Sequence, residues 1–558
     1  MKTTKAFALL LVIVLASSLN MFAQETAKKT GYKAITLEAI QGQLEFLASD
    51  WTEGRETGTK GAYMAADYIA SMFQVYGLQP GGDTQRRSFG RGRRGGPPPP
   101  PPTRTFFQNF NLVETWAGDT QELNVITKNG EAVKSVDFNY QTDFSITAGE
   151  TGMEAEVPVV FIGYGLQDNE KGYDDLKGLD LKGKIVVKLS GFPGHKNPGS
   201  KTYERFKPAE QVADSTQPRA RRQGFGRGSR YPWAAEKGVM AIIEYNPNAN
   251  PAAQWANNNV FFPQEVNGPA RGVRKSMRRP DSEPRGGNTV SLQVTNNVIK
   301  EIMNGLEVNF DALEGKIDLT GKPASMVLPG KFIRFKTTVN SRILQARNVV
   351  GVMEGEDTSN IIVIGGHYDH LGMRDGWIYN GADDNGSGTV GVMTIAKAMT
   401  ATGKKPAKTI VFCAWSGEEK GLLGSSFFVD NPYDGKKILC DLNYDMISRN
   451  SPGEDQDNKV SMNFTSTFPM FQELTEKHNK EYDLGMEITF KGSEQPGGGS
   501  DHASFAKAGI PVFYFMAGMP PDYHQPSDQV SLVEWDKMLK IIQVGYLDIF
   551  ELANMDWK

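Results

Sequence analysis

The sequence predicts a layered α/β domain with a mostly parallel sheet, joined to a separate β-rich module. From residue 348 onward, short apolar runs typical of buried strands alternate with stretches of helical period. Such alternation is typical of a parallel sheet covered by helices. Between residues 154 and 298 the pattern changes to short β-rich runs with few helical stretches, and this change indicates a second unit.

Length and composition restrict the class of protein before any element is assigned. The chain has 558 residues, of which 39% are apolar and 23% charged, as in soluble globular proteins with several cores or one large core. The 61 basic and 65 acidic side chains give a net charge of −4, so nucleic acid is not expected as a partner. Two cysteines exclude a disulfide scaffold, and we predict that Cys413 and Cys440 are buried thiols because each lies in an apolar run.

The first 23 residues have the features of a secretory signal peptide. Lys2 and Lys5 precede an apolar run over 6–16, and a small residue follows at Ala23. The run of 11 residues is well short of the about 20 that cross a bilayer as a helix. We therefore predict a signal peptide over 1–23, export to a periplasm or beyond, and no transmembrane segment in the mature protein.

Residues 24–150 are predicted to form the amino-terminal part of the layered domain. Apolar residues recur at helical spacing over 37–47, and a second helix is predicted over 62–76. Near 84–104 an Arg/Gly tract is followed by six prolines. Because this composition buries no core, we predict a disordered surface insertion there.

Residues 151–299 are predicted to form the β-rich module. Its strand-like runs lie at 159–162, 185–189 and 239–243. Two basic, glycine-containing stretches, 219–230 and 271–287, follow the second and third of these runs. We interpret them as solvated loops, since no aromatic-lined groove for nucleic acid is evident beside them.

Residues 300–558 are predicted to complete the layered domain and to carry its chemistry. Ligands of open α/β sheets bind at the carboxyl ends of the strands. The predicted strands are 348–353, 361–364, 409–415, 439–444 and 511–515, and the predicted helices are 389–399, 468–477 and 533–552.

Metal-capable side chains follow these strands where they end. His367 and Asp369 are two residues apart on extended chain, so the carboxylate can orient the imidazole. Asp384 lies in a glycine-rich turn and can offer its two oxygens to two different metals. Glu418 and Glu419 are adjacent, which is unfavourable unless a cation shares the site or one of them is protonated. A metal ligand beside a general base would need this arrangement.

Two more groups follow later strands and complete a ligand set of two imidazoles and three carboxylates. Such a set suits two Zn²⁺, with Mn²⁺ or Co²⁺ as possible substitutes. Three carboxylates do not fully neutralise two divalent ions, and a bound hydroxide, the hydrolytic nucleophile, would complete the neutralisation. Four of the six histidines fall within or beside these motifs, which favours a metal site over isolated structural residues. The predicted ligands are His367, Asp384, Glu419, Asp445 and His524.

These motifs resemble those of the di-zinc exopeptidase family, which includes the secreted bacterial leucyl aminopeptidases, glutamate carboxypeptidase II and the transferrin receptor. The resemblance implies a three-layer α/β/α zinc-exopeptidase domain with a mixed, mostly parallel sheet. It also implies that residues 151–299 are an inserted β-rich protease-associated domain. The motifs that carry the resemblance are His367-x-Asp369, Gly381 to Gly388, Glu418 to Ser425, Asn443-x-Asp445-Met446, Ser500-Asp501-His502 and Tyr523-His524-x-x-x-Asp528.

The resemblance also implies how the metal ligands divide between two zinc ions. Asp384 is implied to bridge the two ions. Glu419 and His524 are then the other ligands of one zinc, and His367 and Asp445 those of the second. No ligand position is missing, which argues against a non-catalytic, receptor-like binding protein.

The implied function is that of an exported zinc-dependent aminopeptidase that removes amino-terminal residues from peptides. Glu418 is implied to be the general base toward a metal-bridging water, and Asp369 the carboxylate behind a ligand histidine. A carboxypeptidase or dipeptidase of the same family is the alternative. In that case Arg449 is a candidate for capture of the terminal carboxylate, unless it forms a structural ion pair.

Overall fold

The computed structural model describes residues 23–85, 102–147, 151–207, 231–245, 276–282, 290–374, 376–453 and 456–557. The predicted signal peptide up to residue 22, the centre of the proline-rich insertion and the stretch 219–230 lie outside these residues. Among the described residues, no helix is both long and apolar enough to cross a membrane.

The helices, numbered in chain order, are α1 (23–33), α2 (Leu37–Leu47), α3 (Lys60–Val75), α4 (Lys201–Phe206), α5 (Pro232–Glu236), α6 (Asn296–Met303), α7 (Phe310–Thr320), α8 (Gly388–Ala401), α9 (Leu423–Asp430), α10 (Met470–Glu481), α11 (His502–Lys507) and α12 (Trp535–Asn554). The strands are β1 (Gln79–Pro80), β2 (Thr84–Gln85), β3 (Thr103–Arg104), β4 (Phe107–Asn129), β5 (Ala132–Phe138), β6 (Phe144–Thr147), β7 (Met153–Phe161), β8 (Gln167–Asp168), β9 (Tyr173–Asp174), β10 (Ile185–Leu189), β11 (Ala241–Tyr245), β12 (Ser276–Arg278), β13 (Val290–Val294), β14 (Met326–Met353), β15 (Asp357–His367), β16 (Gly372–Arg374), β17 (Trp377–Tyr379), β18 (Lys408–Trp415), β19 (Lys437–Tyr444), β20 (Lys459–Thr465), β21 (Glu487–Ser493) and β22 (Val512–Met516).

The described chain packs as two compact units. The first contains residues 23–112 and 344–557, and the second contains the described residues between 113 and 343. The strands and helices predicted from residue 348 onward are present in the first unit within a few residues of their predicted bounds, except that the strand predicted over 348–353 is the end of β14, which begins at Met326. Strands β20 and β21 were not predicted.

The sheet of the first unit is mixed and mostly parallel, as predicted. Its strand order is β21-β20-β22-β19-β15-β18-β14. The four strands β22, β19, β15 and β18 are parallel neighbours, whereas β14 and β20 run antiparallel to β18 and β22 respectively.

The central strand β15 shows why this unit has three layers. Ile362 and Ile364 pack into one buried cluster, which includes residues of α8 and α12. Ile361 and Val363 pack into a second cluster on the opposite face, with residues of α9 and α11. Because alternate residues of a strand point to opposite faces, the continuous apolar run 361–364 fits a strand covered on both sides. Cys413 and Cys440 are buried, free thiols, as predicted.

The second unit is wider than the predicted module 151–299. Strands β7, β10, β11 and β13 are parallel neighbours, and the first part of β14 runs antiparallel to β7. Its core includes Leu123 and Phe144 before the predicted range and Phe310 and Ile333 after it. Strands β4, β6 and β14 and helix α7 supply these side chains. That this unit is a protease-associated domain stays a prediction.

Candidate metal centre

The carboxyl ends of β15, β18 and β19 meet at one edge of the first unit's sheet. In register, His367 of β15 lies opposite Trp415 of β18, and Gly365 lies opposite Asn443 of β19. Parallel strands therefore bring the ends predicted to carry ligands to the same edge. The turn after β15, the loop after β18 and the loop after β22 add the remaining predicted residues.

Around His367 the structure brings together three carboxylates. The Nε2 atom of His367 lies 3.5 Å from Oδ1 of Asp384 and 3.5 Å from Oδ1 of Asp445. Oε2 of Glu418 lies 3.9 Å from the same nitrogen. Two ligands of one tetrahedral zinc at about 2.1 Å are separated by about 3.4 Å. The spacing therefore fits a metal ion held between these atoms.

A second group forms around the other oxygen of Asp384. Oδ2 of Asp384 lies 3.1 Å from Nε2 of His524, and Oε2 of Glu419 lies 3.3 Å from that nitrogen. His370, which was not predicted as a ligand, places Nδ1 2.8 Å from Oε1 of Glu419 and 3.9 Å from Oδ2 of Asp384. The two oxygens of Asp384 thus face two different groups. The signal in the sequence for His370 was its position three residues after His367, in His-Tyr-Asp-His.

The spacing and the hydrogen bonding of these side chains fit a metal-binding site. Groups that can hold a cation lie within 4.8 Å of one another in two sets, His367 with Glu418 and Asp445, and His370 with Asp384 and Glu419. Among the described residues, Oδ1 of Asp445 is buried with no hydrogen-bond donor. Buried carboxylate oxygens without donors are costly unless a cation neutralises them. The donor set is nitrogen and oxygen, as zinc prefers.

The two adjacent glutamates have opposite pKa shifts. Burial, together with the negative charges of Glu419 and Asp445, raises the pKa of Glu418 well above its usual value. Burial alone would also raise the pKa of Glu419, but His524 and His370 hold it well below its usual range. Environments that push the pKa values of two carboxyl groups apart are typical of a proton-accepting group beside a permanently ionised one.

Asp369 has a different role from the predicted one. Nδ1 of His367 lies 3.0 Å from the backbone oxygen of Asp369, whereas the nearest carboxylate oxygen of Asp369 is 4.0 Å away. The carboxylate instead accepts hydrogen bonds from the hydroxyl of Thr57 at 2.7 Å and from the backbone N–H of Glu418 at 3.2 Å. The backbone carbonyl therefore orients the imidazole, and the carboxylate fixes the loop that carries Glu418.

Asp528 fixes the loop that carries the shared carboxylate, a role that sequence reasoning missed. Its two oxygens accept the backbone N–H groups of Asp383 at 2.9 Å and Asp384 at 3.0 Å. Asp383 in turn accepts hydrogen bonds from the backbone N–H and the hydroxyl of Ser448, at 2.9 and 2.8 Å. Asp528 was part of the motif Tyr523-His524-x-x-x-Asp528. Its partners are backbone N–H groups, however, and residue types alone do not predict contacts with the backbone.

Arg449 is held in an ion pair. Its Nη2 donates to Oδ2 of Asp522 at 2.8 Å, and the other oxygen of Asp522 accepts the hydroxyl of Ser527 at 2.7 Å. Asp522 lies in the loop that carries His524. The guanidinium is therefore engaged in holding this loop, which favours the structural alternative named above.

A buried centre of carboxylates and imidazoles at the carboxyl ends of parallel strands defines a metal-dependent α/β protein. Residues 348–546 match the model of peptidase family M28. The match spans the predicted ligands from β15 to His524.

Relatives extend the similarity to other parts of the chain. Leupeptin-inactivating enzyme 1 of Streptomyces exfoliatus is 29% identical over 232 residues, 41% of this chain and 46% of that protein. A glutamate carboxypeptidase 2 homolog of Caenorhabditis elegans is 25% identical over 422 residues, 65% of this chain and 48% of that protein. The chain thus spans about half the length of these curated relatives.

A solved structure shares the fold. The aminopeptidase from Aneurinibacillus sp. strain AM-1 superposes with a TM-score of 0.55 at 16% sequence identity, covering 94% of this chain and 96% of that one. The three-layer α/β/α architecture predicted from the sequence is therefore confirmed.

Proposed function

We propose that the chain is an exported, zinc-dependent aminopeptidase that binds two zinc ions and hydrolyses amino-terminal residues from peptides. The observation that carries the proposal is the placement of Asp384, whose two oxygens face His367 on one side and His524 on the other. One carboxylate between two sets of ligands is the arrangement that a pair of divalent ions needs.

The chemistry divides between the ions and the chain's own residues. Zinc ions held here would acidify a water molecule and polarise the scissile carbonyl. Glu418 takes the proton from the attacking water and returns it to the leaving amine as the C–N bond breaks. Its raised pKa suits both steps, because a carboxyl group whose pKa lies above the usual value holds a transferred proton more readily until it is passed on. Asp369 holds the backbone of Glu418 through the 3.2 Å hydrogen bond.

The charges around the centre favour a free amine over a free carboxylate as the recognised end. A terminal carboxylate needs an available cation, but the guanidinium of Arg449 is already paired with Asp522 at 2.8 Å. A free amine can bind a metal ion or a carboxylate of the centre. The C. elegans relative is named as a carboxypeptidase homolog, so a carboxypeptidase or dipeptidase is the second candidate. A receptor-like binding protein is not favoured, because such a protein would not need the complete set of metal ligands that this chain has.

The test uses one hexapeptide in four forms, with each end either free or blocked, and the zinc-loaded protein with a chelator-treated control. An aminopeptidase will cleave both forms with a free amine and neither form with an acetylated amine. Cleavage that requires a free carboxylate would move the assignment to a carboxypeptidase. Cleavage that survives removal of metal would overturn the metal-dependent mechanism.

A further inference from the structure

A single buried arginine from the amino-terminal segment joins two of the segments that supply the metal ligands. Arg55 is fully buried, at 0% exposure, and lies between α2 and α3, more than 300 residues before those loops. Among the residues that the structure describes, its side chain donates hydrogen bonds only to backbone carbonyl oxygens. The acceptors are Tyr368 at 2.7 Å, Asn380 at 2.7 Å, Gly381 at 2.9 Å and Leu47.

The positions of these carbonyls relate the contact to the metal centre. Tyr368 lies between His367 and Asp369, at the end of β15. Asn380 and Gly381 begin the turn that reaches Asp384. In addition, the backbone N–H of His370 donates to the carbonyl oxygen of Arg55 at 3.2 Å. Both ligand segments are therefore bonded to the same residue.

The charge of Arg55 is balanced without a direct carboxylate partner. Burial lowers its pKa to about 10, while Asp528, Asp369, Asp384 and Glu419 act in the opposite direction. The guanidinium therefore stays charged at neutral pH. A planar group with five donors can satisfy several carbonyls at fixed angles. An ammonium has three donors and no fixed plane, so lysine cannot reproduce the set.

We propose that Arg55 is a positioning residue that sets the spacing between His367 and Asp384 and so controls the affinity of the centre for zinc. The proposal rests on the proposed metal function. If Arg55 acts in this way, the segment before α3 contributes to the geometry of the metal centre. A displacement of about 1 Å between groups that act together can reduce a rate by about 10²-fold.

The test compares Arg55→Met and Arg55→Lys with matched substitutions of Arg347. Arg347 also donates to a backbone carbonyl, that of Tyr63 at 2.7 Å, and pairs with Asp67 at 2.6 Å. Its guanidinium contacts Tyr63 and Asp67 of helix α3 and lies over the ring of Phe107. The hydroxyl of Tyr368 donates to the backbone oxygen of Arg347 at 2.8 Å, which a change of side chain leaves in place, so its substitutions report a general loss of stability. Two readouts are needed on chelator-stripped protein: the thermal midpoint without zinc, and the zinc affinity from competition with a chromophoric chelator.

We expect Arg55→Met to weaken zinc binding about 100-fold, and Arg55→Lys about 10-fold, because lysine restores the charge and part of the hydrogen bonding. Arg347→Met will lower the thermal midpoint and leave zinc affinity within about 2-fold of wild type. Wild-type zinc affinity in folded Arg55→Met would overturn the proposal. If that variant does not fold, Arg55→Lys decides, and unchanged zinc affinity there would overturn it equally. Failure of the wild-type protein to bind zinc would instead refute the proposed metal function, on which the proposal rests.

Discussion

Replacing Glu418 by Gln removes one negative charge and one proton-accepting oxygen from the centre while keeping the size of the side chain. Glu418 is adjacent to Glu419 and near Asp445, so loss of its charge relieves repulsion between buried carboxylates. The predicted zinc ligands stay in place, and zinc should remain bound. Loss of general base catalysis costs a factor of about 10² to 10⁴ in rate, which corresponds to about 3 to 5.5 kcal/mol of activation free energy.

The neighbouring residue supplies the matched control. Glu419→Gln changes the same atoms one position later, but Glu419 is the carboxylate whose pKa its histidine neighbours hold low. This variant should lose one of two zinc ions. The assay combines kcat on an amino-acyl chromogenic amide with zinc content after dialysis, measured by elemental mass spectrometry. Full turnover in Glu418→Gln, or equal zinc loss in both variants, would refute the assignment of the two glutamates.

Three further predictions concern the surroundings of the centre and the start of the chain. Asp528→Asn leaves one buried backbone N–H without an acceptor and should lower the free energy of unfolding by roughly 1 to 3 kcal/mol in denaturant titration; an unchanged midpoint would contradict this. His478, buried against Asp548 at 2.7 Å, has a pKa raised by Asp548 and Glu551 although burial alone would lower it. Its stabilisation is therefore complete below the unfolded pKa of about 6.5 and is lost as pH rises through the folded value, so His478→Gln should destabilise more at pH 5.5 than at pH 9, and a pH-independent loss would contradict the linkage. Exported protein should begin at Gln24, which intact-mass measurement of the secreted or periplasmic form will check.

The sequence alone was sufficient to place the candidate ligands at strand ends, because a strand end is a local feature of the sequence. Strand ends such as that of β15 are visible as an apolar run followed by polar residues, and parallel strands bring such ends to one edge. The partners of each side chain are not local. Whether the carboxylate or the carbonyl of Asp369 meets His367 depends on the backbone path after the strand. Arg55 donates a hydrogen bond to Gly381, which is 326 residues away in the sequence. No local sequence pattern predicts a contact at this separation.

The missed strands have a similar explanation. In β20, Val460, Met462 and Phe464 are buried in alternation with more exposed residues, and this period of two was available in the sequence. Strand β21 lies at the edge of the sheet and is largely exposed, so its apolar signal is weak. The second unit was predicted too narrowly because parts of β4 and β14 belong to it, and both strands lie outside the β-rich range 151–299.

The most direct test of the central claim is mass spectrometry of an unbiased peptide mixture incubated with the zinc-loaded protein and, separately, with chelator-treated protein. The account predicts that residues disappear only from amino termini and only when zinc is present. Loss from carboxyl termini, or no cleavage by protein that holds two zinc ions, would contradict it.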